Sequence, residues 1–366
     1  MYPPAIVMKK LFFYVVLIST PVVCSLLLVG LAYQYLRYSH VTASEYWICY
    51  TCPSSSFKWK GAIGAPREFE ASITTNELGY NDKPLAYRAD AKNKVLVLGD
   101  SFVESLQVDS EQSFGSLVEQ RHPDTRIYRV GRSGWGQKDV NDFLDSEAHQ
   151  SFSANKVVLT YFYHNDLWNN DETLREHLLG DPSGNRPRPK SHLANAAVRK
   201  NDFLAYVAYY TDLYNRIAYS KANPAHTEWA IYRTNFMHGS VMAKALDTAD
   251  EYFRAVKRKL KTAYGIRDQD IYVLIIPTKY YFDALAQKKE VLPSGIPQDH
   301  YRYDLLHTMI KDRVAKLFDA ANVIDLGEHI VCGHASTDIY FRADGHWNGN
   351  GHRTVACAFE TNVLKR

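Results

Sequence analysis

Ser101 has the surroundings that most suggest chemistry, because it follows an unbroken apolar run in KVLVLGDSF, residues 94–102. The run predicts a strand buried on both faces, as in the interior of a parallel sheet. Gly99 then permits a sharp turn, and Asp100 and Ser101 both favour the start of a helix. A serine in this place is either an ordinary capping residue or a nucleophile whose backbone N–H faces a developing oxyanion.

Four more residues with suitable chemistry follow predicted strands or precede the last helix: Gly134, Asn165, Asp344 and His346. A serine hydroxyl is a weak nucleophile near neutral pH, so it needs a base within hydrogen-bonding reach, for which His346 is the candidate. Asp344 or a backbone carbonyl would then hold the second ring nitrogen of that histidine. The N–H groups of Ser101 and Gly134 and the side-chain amide of Asn165 are candidate donors to the oxyanion.

Alternating strands and helices are needed to bring these scattered residues together. Strands are predicted at residues 94–98, 126–130, 155–163, 270–277 and 322–326. The first predicted helix runs from residue 102 to residue 120, directly after Ser101. Strands that alternate with helices in this way predict an α/β fold with a doubly wound parallel sheet. Since the carboxyl ends of parallel strands share one edge of the sheet, the candidate residues are expected to converge there.

An uncharged stretch at residues 11–36 is long enough to cross a hydrocarbon core of roughly 30 Å. Lys9 and Lys10 precede it and Arg37 alone follows closely, which favours a cytoplasmic N-terminus. A cleaved signal peptide is the alternative, but its small-x-small cleavage site is not evident. We therefore expect one anchor in the cell (inner) membrane, with the rest of the chain on the extracytoplasmic, periplasmic side.

The expected organisation has four parts: a cytoplasmic tail at residues 1–10, a transmembrane helix at 11–36, a juxtamembrane segment at 37–90 and a main domain at 91–366. The juxtamembrane segment has poor periodicity and turn signals around Gly79, so we expect it to pack on the main domain, with a short strand or hairpin. Within the main domain, the alternation breaks at about residues 167–245. An insertion there is either a lid or recognition element, or a decoration without function.

Composition narrows the possible partners. The chain has 366 residues, of which 46% are hydrophobic, so it can bury a large core. Its formal net charge is only +3 and no basic run is interleaved with aromatic residues, so a nucleic acid is not an expected partner. Four cysteines outside the predicted membrane helix can pair in an oxidising compartment: Cys49, Cys52, Cys332 and Cys357.

Two alternative sites deserve comparison with the serine site. Asp344, His346 and His352 cluster in the sequence, but their spacing matches no helical zinc motif, so neither a metal nor another cofactor is expected. His352 is better explained as a helix-start or packing residue. The glycines of GRSGWG, residues 131–136, do not have the spacing of a dinucleotide-binding turn.

The candidate residues, in their order along the chain, resemble the four sequence blocks of the SGNH (GDSL-type) hydrolase superfamily. The matching blocks are Gly99-Asp100-Ser101-Phe102, Gly134 in a glycine-rich turn, Asn165-Asp166, and Asp344-x-His346. The resemblance covers about residues 75–366 and implies a three-layer, flavodoxin-like sheet without a cofactor. It also implies Ser101 as nucleophile, Gly134 and Asn165 as oxyanion donors, His346 as base and Asp344 as its partner. Tyr163 departs from the pattern, since the third block usually has a glycine there.

The end of the chain adds a narrower resemblance. The phrase DGHWN with a following histidine, residues 344–352, is similar to the ending of membrane-anchored proteins of polysaccharide O-acetylation and deacetylation. That similarity implies an acylated small molecule or glycan as the substrate. Three functions remain open on these grounds: a serine esterase, an O-acyltransferase, or a non-catalytic glycan-binding or assembly subunit.

Overall fold

The computed structural model describes residues 52–60, 69–170, 239–278, 281, 303–328, 338–341 and 344–365, together with isolated positions between residues 17 and 29. In this part of the chain the strands are β1 (Ser56–Lys60), β2 (Glu70–Thr74), β3 (Asn93–Gly99), β4 (Thr125–Gly131), β5 (Lys156–Tyr161), β6 (Ile271–Ile275) and β7 (Val323–Asp325). The α-helices are α1 (Ser101–Glu104), α2 (Phe114–Arg121), α3 (Gln137–Phe143), α4 (Tyr163–Asn170), α5 (Gly239–Tyr264), α6 (Tyr303–Leu317) and α7 (Gly349–Phe359).

Strands β3 to β7 form one parallel sheet in the order β4-β3-β5-β6-β7. If these five strands are numbered 1 to 5 along the chain, their order in the sheet is 2-1-3-4-5, which is the order of doubly wound, flavodoxin-like proteins. The described helices form two contacting groups, one of α2 with α7 and one of α3, α4 and α6 around α5. Right-handed crossovers place such groups on opposite faces of the sheet. The predicted α/β fold with a doubly wound parallel sheet is therefore confirmed.

Strand β3 supports the candidate site because it lies between β4 and β5 and ends at Gly99. Its apolar side chains are fully buried: Val95, Leu96, Val97 and Leu98. A strand covered on both faces has no solvent side, so its sequence is continuously apolar instead of alternating. Each such side chain stabilises the fold by about 1.5–3 kcal/mol relative to an exposed one. Packing on both faces therefore fixes the end of β3, from which the turn with Ser101 begins.

The segment before β3 is part of the same structure. Strands β1 and β2 form an antiparallel hairpin, and the Ser72 N–H donates to the Asp109 carboxylate at 2.7 Å. Further along, the fully buried Arg126 donates to both carboxylate oxygens of Asp82, at 3.2 and 2.8 Å. The predicted hairpin is confirmed, and residues 69–90 pack on the sheet domain.

The helix predicted at residues 102–120 is wrong as one element. Helix α1 ends at Glu104, since Ser105 has a left-handed backbone with φ of 56°. A non-glycine residue seldom adopts that conformation, so the sequence does not signal the break. Helix α2 begins only at Phe114, after a turn of 3-10 helix at Ser110–Gln112.

The strand predicted at residues 155–163 is too long. Strand β5 ends at Tyr161 and α4 begins at Tyr163, which places Asn165 in the first turn of a helix. The Asp166 carboxylate accepts a hydrogen bond from the Phe162 N–H at 3.2 Å, and this bond satisfies a donor just before the helix. Of the aromatic residues that predicted a longer strand, Phe162 packs against Phe102 and Tyr163, the first residue of α4, packs against His307.

Several predictions fall outside the described residues. The predicted membrane span at 11–36 has only isolated described positions, and residues 171–238 of the predicted insertion have none. Among the described residues, no helix combines the length and the apolar character needed to cross a bilayer. Cys357 is disulfide-bonded, whereas Cys49 and Cys332 lie outside the described part of the chain.

Candidate active site

Ser101, His346 and Asp344 form a chain of hydrogen bonds. His346 Nε2 lies 2.8 Å from Ser101 Oγ, although the two residues are 245 positions apart. On the other side of the ring, His346 Nδ1 lies 2.5 Å from Asp344 Oδ1. The side chains of His346 and Asp344 are 26% and 16% exposed, and Ser101 is 7% exposed. The structure therefore brings the predicted nucleophile, base and carboxylate together at a place that solvent reaches.

The turn that carries Ser101 depends on close contact with the neighbouring strand. A Cβ atom at Gly99 would lie 1.7 Å from Thr160 Oγ1 and 2.8 Å from Val103 Cγ2, so any other residue would force these side chains to move. The Asp100 carboxylate then accepts a hydrogen bond from the Phe102 N–H at 3.0 Å and caps α1. Together these contacts hold the serine at the first position of the helix, as predicted.

An aromatic cluster holds the histidine side of the site. The Phe102 ring lies 5.0 Å from the His346 ring and 4.7 Å from the Trp347 ring, measured between centroids. Phe162 packs against Phe102 from the other side at 4.6 Å. Because Phe102 follows the serine directly, its side chain both anchors the start of α1 and packs against the imidazole of His346.

Asn348 holds the loop that carries Asp344 and His346. Its side-chain oxygen accepts hydrogen bonds from the backbone N–H groups of Asn350 and Gly351 and caps α7. Its amide nitrogen donates to the Asp338 carbonyl at 2.7 Å. Asn348 thereby joins the start of α7 to the segment around Asp338.

Gly134 and Asn165 lie on the two sides of the serine turn. Gly134 follows β4 and Asn165 follows β5, and these strands are the two neighbours of β3. Gly134 has φ of +84°, a conformation that favours glycine, and no atom lies within 4 Å of the place a Cβ would take. The Asn165 side chain lies beside the Asp100 carboxyl. The arrangement suits two oxyanion donors, and their catalytic role remains a prediction.

Two buried acids, Asp100 and Asp166, lie close to the serine, and the sequence offers no reason to assign either of them a catalytic role. Burial raises the pKa of Asp100 from 3.8 to about 7, opposed by the Phe102 N–H and by the nearby His346. Burial and the charge of Asp100 raise the pKa of Asp166 well above its usual range. Gln137 Nε2 donates to Asp166 Oδ2 at 2.8 Å. Both acids belong to the quoted sequence blocks, so the available signal was their position next to Ser101 and Asn165.

His352 is a packing residue, as predicted. Its Nδ1 accepts a hydrogen bond from the Phe114 N–H at 3.2 Å, and its ring stacks on that phenylalanine with an interplanar angle of 4°. Burial, together with Arg129 and His346, lowers its pKa to about 3, so the ring is neutral near pH 7. In the described part of the chain, no group of three or more histidine, cysteine or acidic residues is arranged to hold a metal ion.

The sequence reasoning also missed Glu104. The Ser133 N–H and hydroxyl both donate to Glu104 Oε2, at 2.8 and 2.6 Å. An acidic residue in the first turn of a helix is ordinarily explained by its favourable interaction with the helix dipole, so the sequence alone does not predict these hydrogen bonds. The available signal was the position of Glu104, three residues after the candidate nucleophile.

No protein-family model matches this chain, and no curated protein matches it either. Among solved structures, a lipase from a goat rumen metagenome is similar over 74% of this chain and 97% of its own, with 10% identity and a TM-score of 0.41. A carbohydrate acetylesterase family member from Sinorhizobium meliloti is similar over 75% of this chain and 98% of its own, with 13% identity and a TM-score of 0.34.

A third similar structure is a member of the lipolytic protein G-D-S-L family from Veillonella parvula. It is similar over 75% of this chain and 99% of its own, with 11% identity and a TM-score of 0.33. Similarities at this level concern the course of the chain and carry no argument about its activity. The functional conclusion therefore depends on the geometry of the site.

Proposed function

We propose that this chain is a serine esterase that hydrolyses an acyl ester through an acyl-enzyme on Ser101. The observation that carries the proposal is the hydrogen-bonded chain from Asp344 through His346 to Ser101. Side chains from two elements, α1 and the loop before α7, meet with each imidazole nitrogen facing the partner that acyl transfer requires. A packing or capping serine needs no such arrangement.

The first half-reaction forms the acyl-enzyme. Ser101 Oγ attacks the carbonyl carbon of the ester while His346 Nε2 takes the hydroxyl proton. The tetrahedral intermediate then collapses, the bond to the leaving alkoxide breaks, and the imidazolium returns its proton to that oxygen. In the second half-reaction water attacks the acyl carbon and gives a proton to His346. The bond from that carbon to Ser101 Oγ then breaks, the imidazolium returns its proton to Oγ, and the acid leaves.

Asp344 acts through the histidine. With the Nδ1 proton directed at the carboxylate, the Nε2 lone pair faces the serine hydroxyl, which is the tautomer a general base needs. The carboxylate also stabilises the imidazolium that forms during each half-reaction. The 2.5 Å contact and the exposure of only 16% make this an effective interaction, since little water screens it.

The oxyanion is proposed to bind between the N–H of Ser101, the N–H of Gly134 and the side-chain amide of Asn165. The Ser101 N–H lies at the first position of α1, where the helix itself makes no use of a backbone N–H, so it can donate to an oxyanion. Removal of one such donor typically slows the reaction by a factor of about 100 to 1,000. The position of Gly134 and Asn165 on either side of the serine turn supports this part of the proposal.

The substrate is proposed to be an acylated small molecule or glycan, such as an O-acetylated sugar. The support is the DGHWN ending, which is similar to that of membrane-anchored proteins of polysaccharide O-acetylation. An anchor at residues 11–36 in the inner membrane, with the site on the periplasmic side, belongs to the same proposal. No cofactor takes part in any step of the mechanism.

Transfer to a sugar hydroxyl is the second candidate, because the same acyl-enzyme serves it. The complete hydrogen-bonded chain of Asp344, His346 and Ser101 disfavours a non-catalytic glycan-binding subunit. Hydrolysis of p-nitrophenyl acetate, with Ser101→Ala as control, separates an enzyme from a scaffold: equal rates for both proteins would contradict the proposal. Release of the acyl group that accelerates with added oligosaccharide, and gives acylated sugar, would identify transfer.

A further inference from the structure

Helix α1 links two parts of the candidate site. It has only four residues, with Ser101 at its first position and Glu104 at its last. Glu104 is 3% exposed, and a carboxylate so deeply buried is costly unless it is hydrogen-bonded and its charge compensated. Its hydrogen-bond donors therefore indicate what this acid stabilises.

Those donors belong to the turn that carries Gly134. Ser133 donates twice to Glu104 Oε2, from its N–H at 2.8 Å and its hydroxyl at 2.6 Å. Arg132 Nη1 lies 3.6 Å from the other carboxylate oxygen, Oε1. We name residues 132–135 the oxyanion loop. Glu104 thus binds the two residues that precede the predicted oxyanion donor.

The oxyanion loop needs such an attachment. Ser133 and Gly134 are exposed, and the space beside Gly134 is open, so side-chain packing fixes neither of them. A glycine with positive φ also has more backbone freedom than any other residue. A donor N–H contributes to catalysis only when it is held in the correct direction before the reaction begins.

Residues 79–81, which precede β3, contact both Arg132 and Glu104. Arg132 donates to the Gly79 carbonyl at 2.7 Å, and its guanidinium lies 4.5 Å from the centre of the Tyr80 ring. Asn81 Nδ2 donates to the carbonyl of Glu104 at 2.8 Å. The arginine also balances the negative charge of Glu104, which would otherwise oppose an oxyanion forming nearby.

We propose that Glu104 is a positioning residue that fixes the Gly134 N–H relative to Ser101 Oγ. The inference depends on the proposed esterase function. Because the nucleophile and the acid occupy opposite ends of one short helix, a displacement of α1 carries the oxyanion loop with it. The distance between the attacking oxygen and the oxyanion donor is thereby kept constant.

The test compares Glu104→Gln and Glu104→Ala with wild type on p-nitrophenyl acetate. Both variants are expected to lose kcat, by about tenfold for glutamine and about a hundredfold for alanine, while KM stays within about twofold. Glu111→Gln, a change at an exposed acid that pairs with Lys83, is the matched control and should match wild type.

Binding of a boronic acid supplies a readout that a merely structural role would not change. Its tetrahedral serine adduct occupies the oxyanion site, so its affinity should fall by the same factor as kcat in each variant. The melting temperature of Glu104→Gln should remain close to that of wild type. An unchanged kcat in both variants, or losses that follow melting temperature and not boronate affinity, would overturn the inference.

Ser133→Ala provides a second route if the Glu104 variants do not fold. The change removes one of the two hydrogen bonds from an exposed loop, and kcat should fall by about fivefold. A rate equal to wild type in that variant would overturn the inference. An inactive wild-type protein would instead contradict the proposed function, so the two failures are distinguishable.

Discussion

Two histidine–aspartate pairs lie near the carboxyl edge of the sheet, and they differ in what surrounds them. In the first, His346 contacts Asp344 at 2.5 Å and Ser101 at 2.8 Å. In the second, His307 Nε2 lies 2.9 Å from Asp325 Oδ2 and its Nδ1 lies 3.3 Å from the Tyr163 hydroxyl. Both are therefore chains of a carboxylate, an imidazole and a hydroxyl.

Exposure separates the two pairs. The side chains of His307 and Asp325 are 5% and 3% exposed, against 26% and 16% for His346 and Asp344. Tyr281 also covers the His307 ring, with centroids 4.4 Å apart. Among the described residues, the chain that contains Ser101 is therefore the more accessible of the two. The comparison teaches that exposure, and not the order of carboxylate, imidazole and hydroxyl alone, is the reason to propose the first chain as the catalytic one.

Removal of the accessible histidine should have the largest effect on activity. His346→Ala deletes the base, so kcat on p-nitrophenyl acetate should fall by about 10⁴-fold or more. Stability should change little, because the ring is partly exposed. Steady-state kinetics and thermal unfolding of the same preparation check both expectations. Retention of most of the activity would remove the distinction between the two pairs.

The buried pair should give the opposite result. His307→Ala leaves the Asp325 carboxylate buried without its imidazole partner, which should lower the free energy of unfolding by about 3 kcal/mol. The kcat per folded molecule should stay within about tenfold of wild type, since the imidazole contacts no predicted catalytic residue directly. Urea unfolding and active-site titration measure the two quantities. A large loss of kcat at full stability would make the buried pair part of the mechanism.

A pH series should sharpen the comparison further, because an acid with a raised pKa lies behind the accessible pair. The pKa of Asp100 is about 7 in the folded protein and 3.8 when unperturbed, so between these values the folded state binds more protons. This acid therefore stabilises the fold at low pH, and its contribution falls by about 1 kcal/mol per pH unit as pH rises from 4 to 7.

Asp100→Asn tests that slope and keeps a side chain that can cap α1. The variant should lose less stability than wild type on going from pH 4 to pH 7, as measured by urea unfolding at each pH. Asp325→Asn is the matched change in the buried pair. In that variant the contribution of Asp100 to the pH dependence of stability should remain. Parallel curves for wild type and Asp100→Asn would show that the acid does not titrate in this range.

The sequence predicts most of the sheet and the main residues of the site for definite physical reasons. Buried parallel strands are continuous apolar runs, so β3 and its neighbours are recognisable, and the serine turn follows from Gly99 and its successors. The predicted 102–120 helix fails because Ser105 adopts a left-handed backbone that its identity does not signal. Asn165 lies in a helix because the capping bond from Phe162 to Asp166 ends β5 early.

Two other sets of contacts between distant elements were not predicted from the sequence. Glu104 and Ser133 are 29 positions apart on a helix and a loop, and no periodicity connects them. The same holds for His307, whose partners Asp325 and Tyr163 lie on a strand and on another helix. Such pairs depend on the packing of finished elements, which local patterns do not determine.

Covalent labelling tests the central claim most directly. Wild-type protein is treated with a fluorophosphonate probe, and the modified peptide is identified by mass spectrometry, with Ser101→Ala and His346→Ala in parallel. The account predicts one label per molecule on Ser101, none on Ser101→Ala and much slower labelling of His346→Ala. A wild-type protein that is folded by circular dichroism yet stays unlabelled, or carries the label elsewhere, would contradict it.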